Sequence, residues 1–102
     1  MSLPALHKAL VTGAAGDLGS ELCRCLAARG LDLVLTDVDS ARLERLAAEL
    51  RAYPGCAVTT FAADLRDQEV AESAFRAIAD AQPDIDLLFA VAGVDRSAPI
   101  ER

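Results

Sequence analysis

Tryptophan is absent, and aromatic residues make up only 4% of the 102. A core without large rings has to be built from aliphatic and small side chains, and the 53% hydrophobic share is carried mostly by alanine and leucine. Small residues in quantity suit close helix-on-sheet packing, which favours an α/β protein over a β sandwich. Positive charge is scarce too. There is one lysine, Lys8, and the net charge is −6. Without a basic run nothing can neutralise a nucleic-acid backbone or an anionic membrane surface, so neither partner is expected. Histidine occurs once, at His7, with no acidic or cysteine partner at ligand spacing, so no metal site is expected. The cysteines are an odd set, Cys23, Cys25 and Cys56. On one helix the first two lie about 200° apart, so they neither pair nor share a ligand site. Free thiols, buried or half-buried, in a reducing compartment are expected. No apolar run approaches membrane-spanning length, and residues 1–8 lack a signal-type apolar segment. A cytoplasmic location is the expectation.

What is present centres on Ala9-Leu10-Val11-Thr12-Gly13-Ala14-Ala15-Gly16-Asp17-Leu18-Gly19. An apolar run stops at a glycine-rich turn, and a helical pattern begins before the turn ends. Such a turn leaves N–H groups unpaired at the positive end of a helix dipole. Missing Cβ atoms let a pyrophosphate approach the backbone. Three glycines at this spacing are a weak signal alone. A strand before, a helix after, and Asp37 eighteen residues past Gly19 strengthen it. The chain reads as a dinucleotide-binding unit.

Taken in order, residues 8–12 form a buried strand. Leu18, Leu22, Cys25 and Leu26 make the stripe of a first helix, with Asp17 as its expected cap and Gly30 as its end. Residues 31–36 are a second strand closed by Asp37. Asp39 or Ser40 caps a second helix with stripe Leu43, Leu46, Ala47 and Leu50, stopped at Pro54-Gly55. Residues 57–63 are the third strand, ending at Asp64-Leu65. Asp67 opens a third helix with stripe Val70, Ala74, Phe75 and Ile78, and residues 85–92 are a fourth strand running into Gly93. Continuous apolar strands imply a parallel sheet. Right-handed crossovers put the first two helices on one face and the third on the other, giving strand order 3-2-1-4. Nine residues remain after Gly93, too few for another helix and strand, so residues 1–102 are expected to be one truncated Rossmann-like half-domain.

Three positions after strand ends carry chemistry. Asp37 suits a bidentate contact to two ribose hydroxyls, and Val38 and Asp39 beside it are not basic. A carboxylate there repels a 2′-phosphate, so NAD is preferred over NADP. Asp64 suits the adenine amino group, with the Leu65 N–H as a donor to the ring; a helix-capping role is the alternative. Gly93 permits close backbone approach to the middle of the cofactor.

These residues resemble the cofactor-binding part of the short-chain dehydrogenase/reductase family, over nearly all of residues 7–100. Thr12 to Gly19 resembles its Thr-Gly-rich phosphate turn, with Gly13, Ala15, Gly16, Asp17, Leu18 and Gly19 at the pyrophosphate. Asp37 and Val38 match the NAD-selecting position, Ala63-Asp64-Leu65 the adenine contact, and Ala92-Gly93 the end of an Asn-Asn-Ala-Gly motif. The resemblance implies an oxidoreductase that binds NAD. Two departures stand out. Asp17 occupies the middle glycine of the family's compact-branch turn, giving the spacing of the extended branch. Ala90-Val91 replaces the two asparagines. The family's hydride chemistry uses a Tyr-x-x-x-Lys pair, whereas the only tyrosine here, Tyr53, is followed by Pro54, Gly55, Cys56 and Ala57. Tyr53 reads as a helix-end packing residue, and no catalytic residue is assigned. A non-catalytic nucleotide-binding or assembly module is one alternative; an S-adenosylmethionine-binding methyltransferase fragment is another, disfavoured by the Thr-Gly opening. The apolar strand 85–92 would present an unprotected edge, so a homo-oligomer joined there is expected.

Overall fold

The computed structural model describes residues 7–91. Four strands, β1 (Lys8–Thr12), β2 (Asp32–Asp37), β3 (Val58–Ala62) and β4 (Leu87–Ala90), alternate with helices α1 (Asp17–Ala28), α2 (Ser40–Leu50) and α3 (Gln68–Ala81). The strands are parallel and stand in the order β3-β2-β1-β4, as the apolar patterning requires. In register, Thr12 lies opposite Thr36 on one side and Ala90 on the other, and Thr36 lies opposite Phe61. All four strands therefore end at the same rim of the sheet, which is where an open α/β sheet places its ligands.

The two faces are covered unequally. On one, α1 and α2 seal Ala9, Val11, Leu33, Leu35 and Val58 beneath Leu26, Leu43, Leu46 and Leu50. The predicted α2 stripe is the buried one in full. Asp39 caps that helix by accepting from the Arg42 N–H at 3.1 Å. Among the described residues, the apolar side chains buried on the other face are Leu10, Val34 and Ile78, with Phe61 and Ile85 packed against them. One helix cannot cover four strands, so the expected α3 stripe fails outside Ile78. Phe75 stays 38% exposed and Val70 39%.

The α1 stripe also needs correction. The buried residues are Gly19, Cys23, Leu26 and Ala27, whereas Leu18 is 66% exposed and Cys25 is exposed. Small side chains at Gly19, Cys23 and Ala27, one turn apart, let the helix settle close to the sheet. The larger Leu18 faces solvent. Burial pushes the Cys23 thiol up to about 12, so it stays protonated and behaves as a small apolar side chain.

β4 is fastened to β1 by polar groups at the opposite end of the sheet from the site. The Asp86 carboxylate accepts from the backbone N–H groups of His7 at 2.6 Å and Lys8 at 3.1 Å. The Lys8 ammonium reaches Gln82 at 2.6 Å and Asp84 at 3.0 Å. The two backbone donors hold the Asp86 carboxyl below its usual value, and Lys8 does the same for Asp84. A carboxyl depressed in the folded state contributes stability above its unfolded pKa and loses it as pH falls through the folded value. The Asp86 increment is thus lost below about pH 4, where free carboxylates protonate. Asp86→Ala is expected to lower the melting temperature at pH 7 and to narrow its deficit against the parent at about pH 2–3. A deficit that stays constant across thermal melts at both pH values would refute this assignment.

Candidate functional site

β1 runs out at Thr12 into Gly13, whose φ of +65° lies in the left-handed region that side chains resist. The next amides are used inside the protein. Ala14 N–H donates to the Thr36 carbonyl at 3.0 Å, and Gly16 N–H to the Gly13 carbonyl at 3.3 Å. Ala15 N–H donates to Asp37 Oδ2 at 2.9 Å. Ser20 N–H closes the first helical bond to the Gly16 carbonyl at 2.8 Å. Among the described residues, the N–H groups of Asp17, Leu18 and Gly19 find no acceptor. Those three donors belong to the first turn of α1, where the helix dipole is positive, an arrangement that can receive an anion.

The glycines do different work. A Cβ built on Gly19 would overlap the Gly13 carbonyl oxygen and come within 2.9 Å of its carbon, so Gly19 is required by the fold itself. A Cβ on Gly16 would meet the same oxygen at 3.5 Å, an ordinary contact, and its φ of −73° suits any residue. Among the described residues nothing demands glycine at position 16. A ligand passing over the turn would.

Asp17 is not the cap of α1. Gly16 holds the N-cap position with no side-chain hydrogen bond, because the helix begins one residue earlier than the apolar spacing implies. The Asp17 side chain instead lines a groove of ≈ 470 Å³ between α1 and α2, shared with Ala15, Arg24, Arg42, Arg45 and Glu49. In that groove Arg24 is paired with Glu49 at 2.6 Å and Glu21 at 3.1 Å.

On the α3 side of the turn a larger cleft of ≈ 650 Å³ opens, lined by Gly13, Asp37, Asp64, Leu65, Phe75 and Leu88 among others. Asp37 stands at its rim, with Oδ1 also accepting from Asp39 N–H at 3.1 Å. Val38 is beside it and 59% exposed. Asp64 is held by Arg66 in a two-pronged contact of 2.9 Å on each arm. The guanidinium, together with the Arg66 N–H, lowers the Asp64 carboxyl to about 2, so it is a fixed anion at neutral pH. Helix capping belongs to Asp67, which accepts from Glu69 and Val70 N–H groups. Thr36 Oγ1, in the wall of this cleft, is the one fully buried side-chain oxygen without a partner among the described residues. An unsatisfied buried hydroxyl is costly and marks a place where a polar ligand atom or water belongs.

The structure thus brings Gly13, Ala15, Gly16, Leu18, Gly19, Asp37, Val38, Asp64 and Leu65 to one rim. Ala92 and Gly93 lie outside the described residues. Sequence reasoning missed Arg66, Phe75, Leu88 and Thr36 as cleft residues. Arg66, two residues after Asp64 in a short turn, was the one findable signal, since a carboxylate and a guanidinium at that spacing pair readily. Phe75 has the spacing of a helix stripe, but the incomplete cover by α3 leaves it in the cleft lining. Tyr53 packs against the α1–α2 core, away from the cleft.

Residues 7–102 match the short chain dehydrogenase family. The chain belongs to that family. Within the short-chain dehydrogenases it is 44% identical over 86 residues to 1-deoxy-11-beta-hydroxypentalenate dehydrogenase of Streptomyces exfoliatus, covering 84% of this chain and 31% of the relative. It is 42% identical over 88 residues to galactitol 2-dehydrogenase (L-tagatose-forming) of Cereibacter sphaeroides, covering 86% and 33%. Among solved structures, an NAD+-bound xylitol dehydrogenase superposes with a TM-score of 0.74 at 27% identity, covering 80% of this chain and 31% of that one. A short-chain dehydrogenase from Sphingobium yanoikuyae in complex with NADPH superposes at 0.73 with 35% identity, covering 81% and 32%. The chain spans about a third of the length of these short-chain dehydrogenases. Family membership removes the methyltransferase alternative.

Proposed function

We propose that this chain is the cofactor-holding part of a short-chain dehydrogenase that uses NAD in preference to NADP. The observation that carries the reading is the cradle of three open amides at Asp17, Leu18 and Gly19 beside the Asp37 carboxylate. The pyrophosphate rests on those amides, with Gly16 leaving room above the turn. The adenosine ribose hydroxyls share the Asp37 carboxylate, and the adenine enters the cleft between Val38 and the Asp64-Leu65 segment. The nicotinamide ring, when bound, supplies the hydride chemistry. Nothing in this chain is assigned to proton transfer.

Charge supports the preference for NAD. Asp37 is anionic at the ribose end, and neither Val38 nor Asp39 offsets it. NADP is the second reading. Arg42 and Arg45 line the groove that Ala15 also borders, and one similar solved structure holds NADPH. Calorimetric titration of the chain with NAD, NADP and ADP-ribose decides between them. The reading requires saturable binding of NAD and ADP-ribose, with NADP weaker by at least about tenfold, the effect of one unfavourable charge contact. Equal or tighter NADP binding would overturn the preference.

Self-association through β4 belongs to the same proposal. Among the described residues β4 is an edge strand, Leu88 on it is 60% exposed, and Phe75 stands near it in the same cleft. Unpaired strand groups beside exposed apolar side chains favour pairing with a second copy. Light scattering at micromolar concentration is expected to give at least twice the monomer mass. Leu88→Lys should shift the population toward monomer. A parent chain that is monomeric under the same conditions would contradict this.

A further inference from the structure

Asp37 is joined to the glycine turn across 22 residues of sequence, through the 2.9 Å bond from Ala15 N–H to Oδ2. The neighbouring amide, Ala14 N–H, is joined to the Thr36 carbonyl at 3.0 Å. Two consecutive turn amides are therefore tied to two consecutive residues at the end of β2, one through backbone and one through a side chain. Ala15 is only 6% exposed. Its N–H has little access to water as a substitute acceptor, and a buried donor left unsatisfied is expensive. The second oxygen of Asp37 accepts from Asp39 N–H, which anchors the carboxylate to the entrance of α2.

We propose that Asp37 is a positioning residue for the phosphate site in addition to its contact with the ribose. By holding Ala15 it fixes the turn that leads into Gly16, and so aims the open amides of Asp17, Leu18 and Gly19 at one point. The claim rests on the assignment of those amides to the pyrophosphate. It has an unusual consequence: the carboxylate repels an anion through its charge yet organises the anion's cradle through its hydrogen bond. The two effects have opposite signs and can be separated.

Inorganic pyrophosphate, which has no ribose, is the probe. Its affinity is measured from the amide NMR shifts of Asp17, Leu18 and Gly19 in the parent chain, in Asp37→Asn and in Asp37→Ala. Charge repulsion alone makes both variants bind equally, and more tightly than the parent. With positioning, Asp37→Asn keeps a carbonyl acceptor for Ala15 and binds more tightly, while Asp37→Ala falls about tenfold or more below Asp37→Asn. Equal affinities for the two variants would overturn the positioning role. Absence of any shift at the three amides in all proteins would overturn the phosphate site itself. Hydrogen exchange supplies a readout that needs no ligand. The Ala15 amide should exchange at least about tenfold more slowly than the open Leu18 amide in the parent. If Asp37→Ala does not fold, that comparison decides, and equal rates in the parent sink the proposal.

Discussion

Gly19→Ala is expected to cost roughly 3 kcal/mol or more, at or beyond the upper end of core overpacking. The added methyl has nowhere to go. It meets backbone atoms of Gly13 and Ala14, not the end of a flexible side chain, so α1 must retreat from the turn. A small domain loses several degrees of melting temperature per kcal/mol, so thermal denaturation should fall by more than about 10 °C, or the chain should fail to fold. Gly16→Ala is the control. Its methyl fits at ordinary contact distance, and the cost is limited to about 1 kcal/mol for a poorer N-cap. Its main effect should be on cofactor affinity. Equal destabilisation by the two substitutions would show that the roles assigned to these glycines are wrong.

The second large effect concerns Asp37→Ala. Loss of a charge-assisted contact to the ribose predicts weaker NAD binding by about 1.5–3 kcal/mol, roughly 10- to 150-fold. NADP should lose less, because the same change removes the repulsion of its 2′-phosphate. The ratio of NAD to NADP affinity therefore narrows, or inverts with help from Arg42 and Arg45 in the adjoining groove. Calorimetry on the parent and the variant measures both quantities. Unchanged NAD affinity would mean that Asp37 does not meet the ribose.

Sequence periodicity captured the sheet order and α2 completely, because Leu43, Leu46, Ala47 and Leu50 are apolar and pack over β2 and β3. It failed on α1, where three of the four buried residues are the small Gly19, Cys23 and Ala27, joined by Leu26, while Leu18 faces out. A close approach selects for small side chains, which hydropathy ranks low. It failed on α3 for another reason: Val70 and Phe75 have the right spacing, but among the described residues α3 is the one helix over that face and leaves them partly exposed. At the site, the positions of Asp37 and Asp64 were legible from their places at strand ends. Which amides stay open was not. That depends on the bonds from Ala14, Ala15 and Gly16 across to β2 and Gly13, and no spacing rule encodes them. Arg66 was legible only as a guanidinium two residues after Asp64; its two-pronged grip on that carboxylate is set by the turn between β3 and α3.

The central claim is that a dinucleotide lies with its pyrophosphate on the first turn of α1 and its ribose on Asp37. Titration of the isotopically labelled chain with NAD, followed by amide NMR, tests it most directly. The expected result is saturable shifts concentrated at Asp17, Leu18, Gly19, Asp37 and Val38, with smaller ones at Asp64 and Leu65. Shifts confined to Arg42, Arg45 and the α1–α2 groove, or none that saturate, would contradict it.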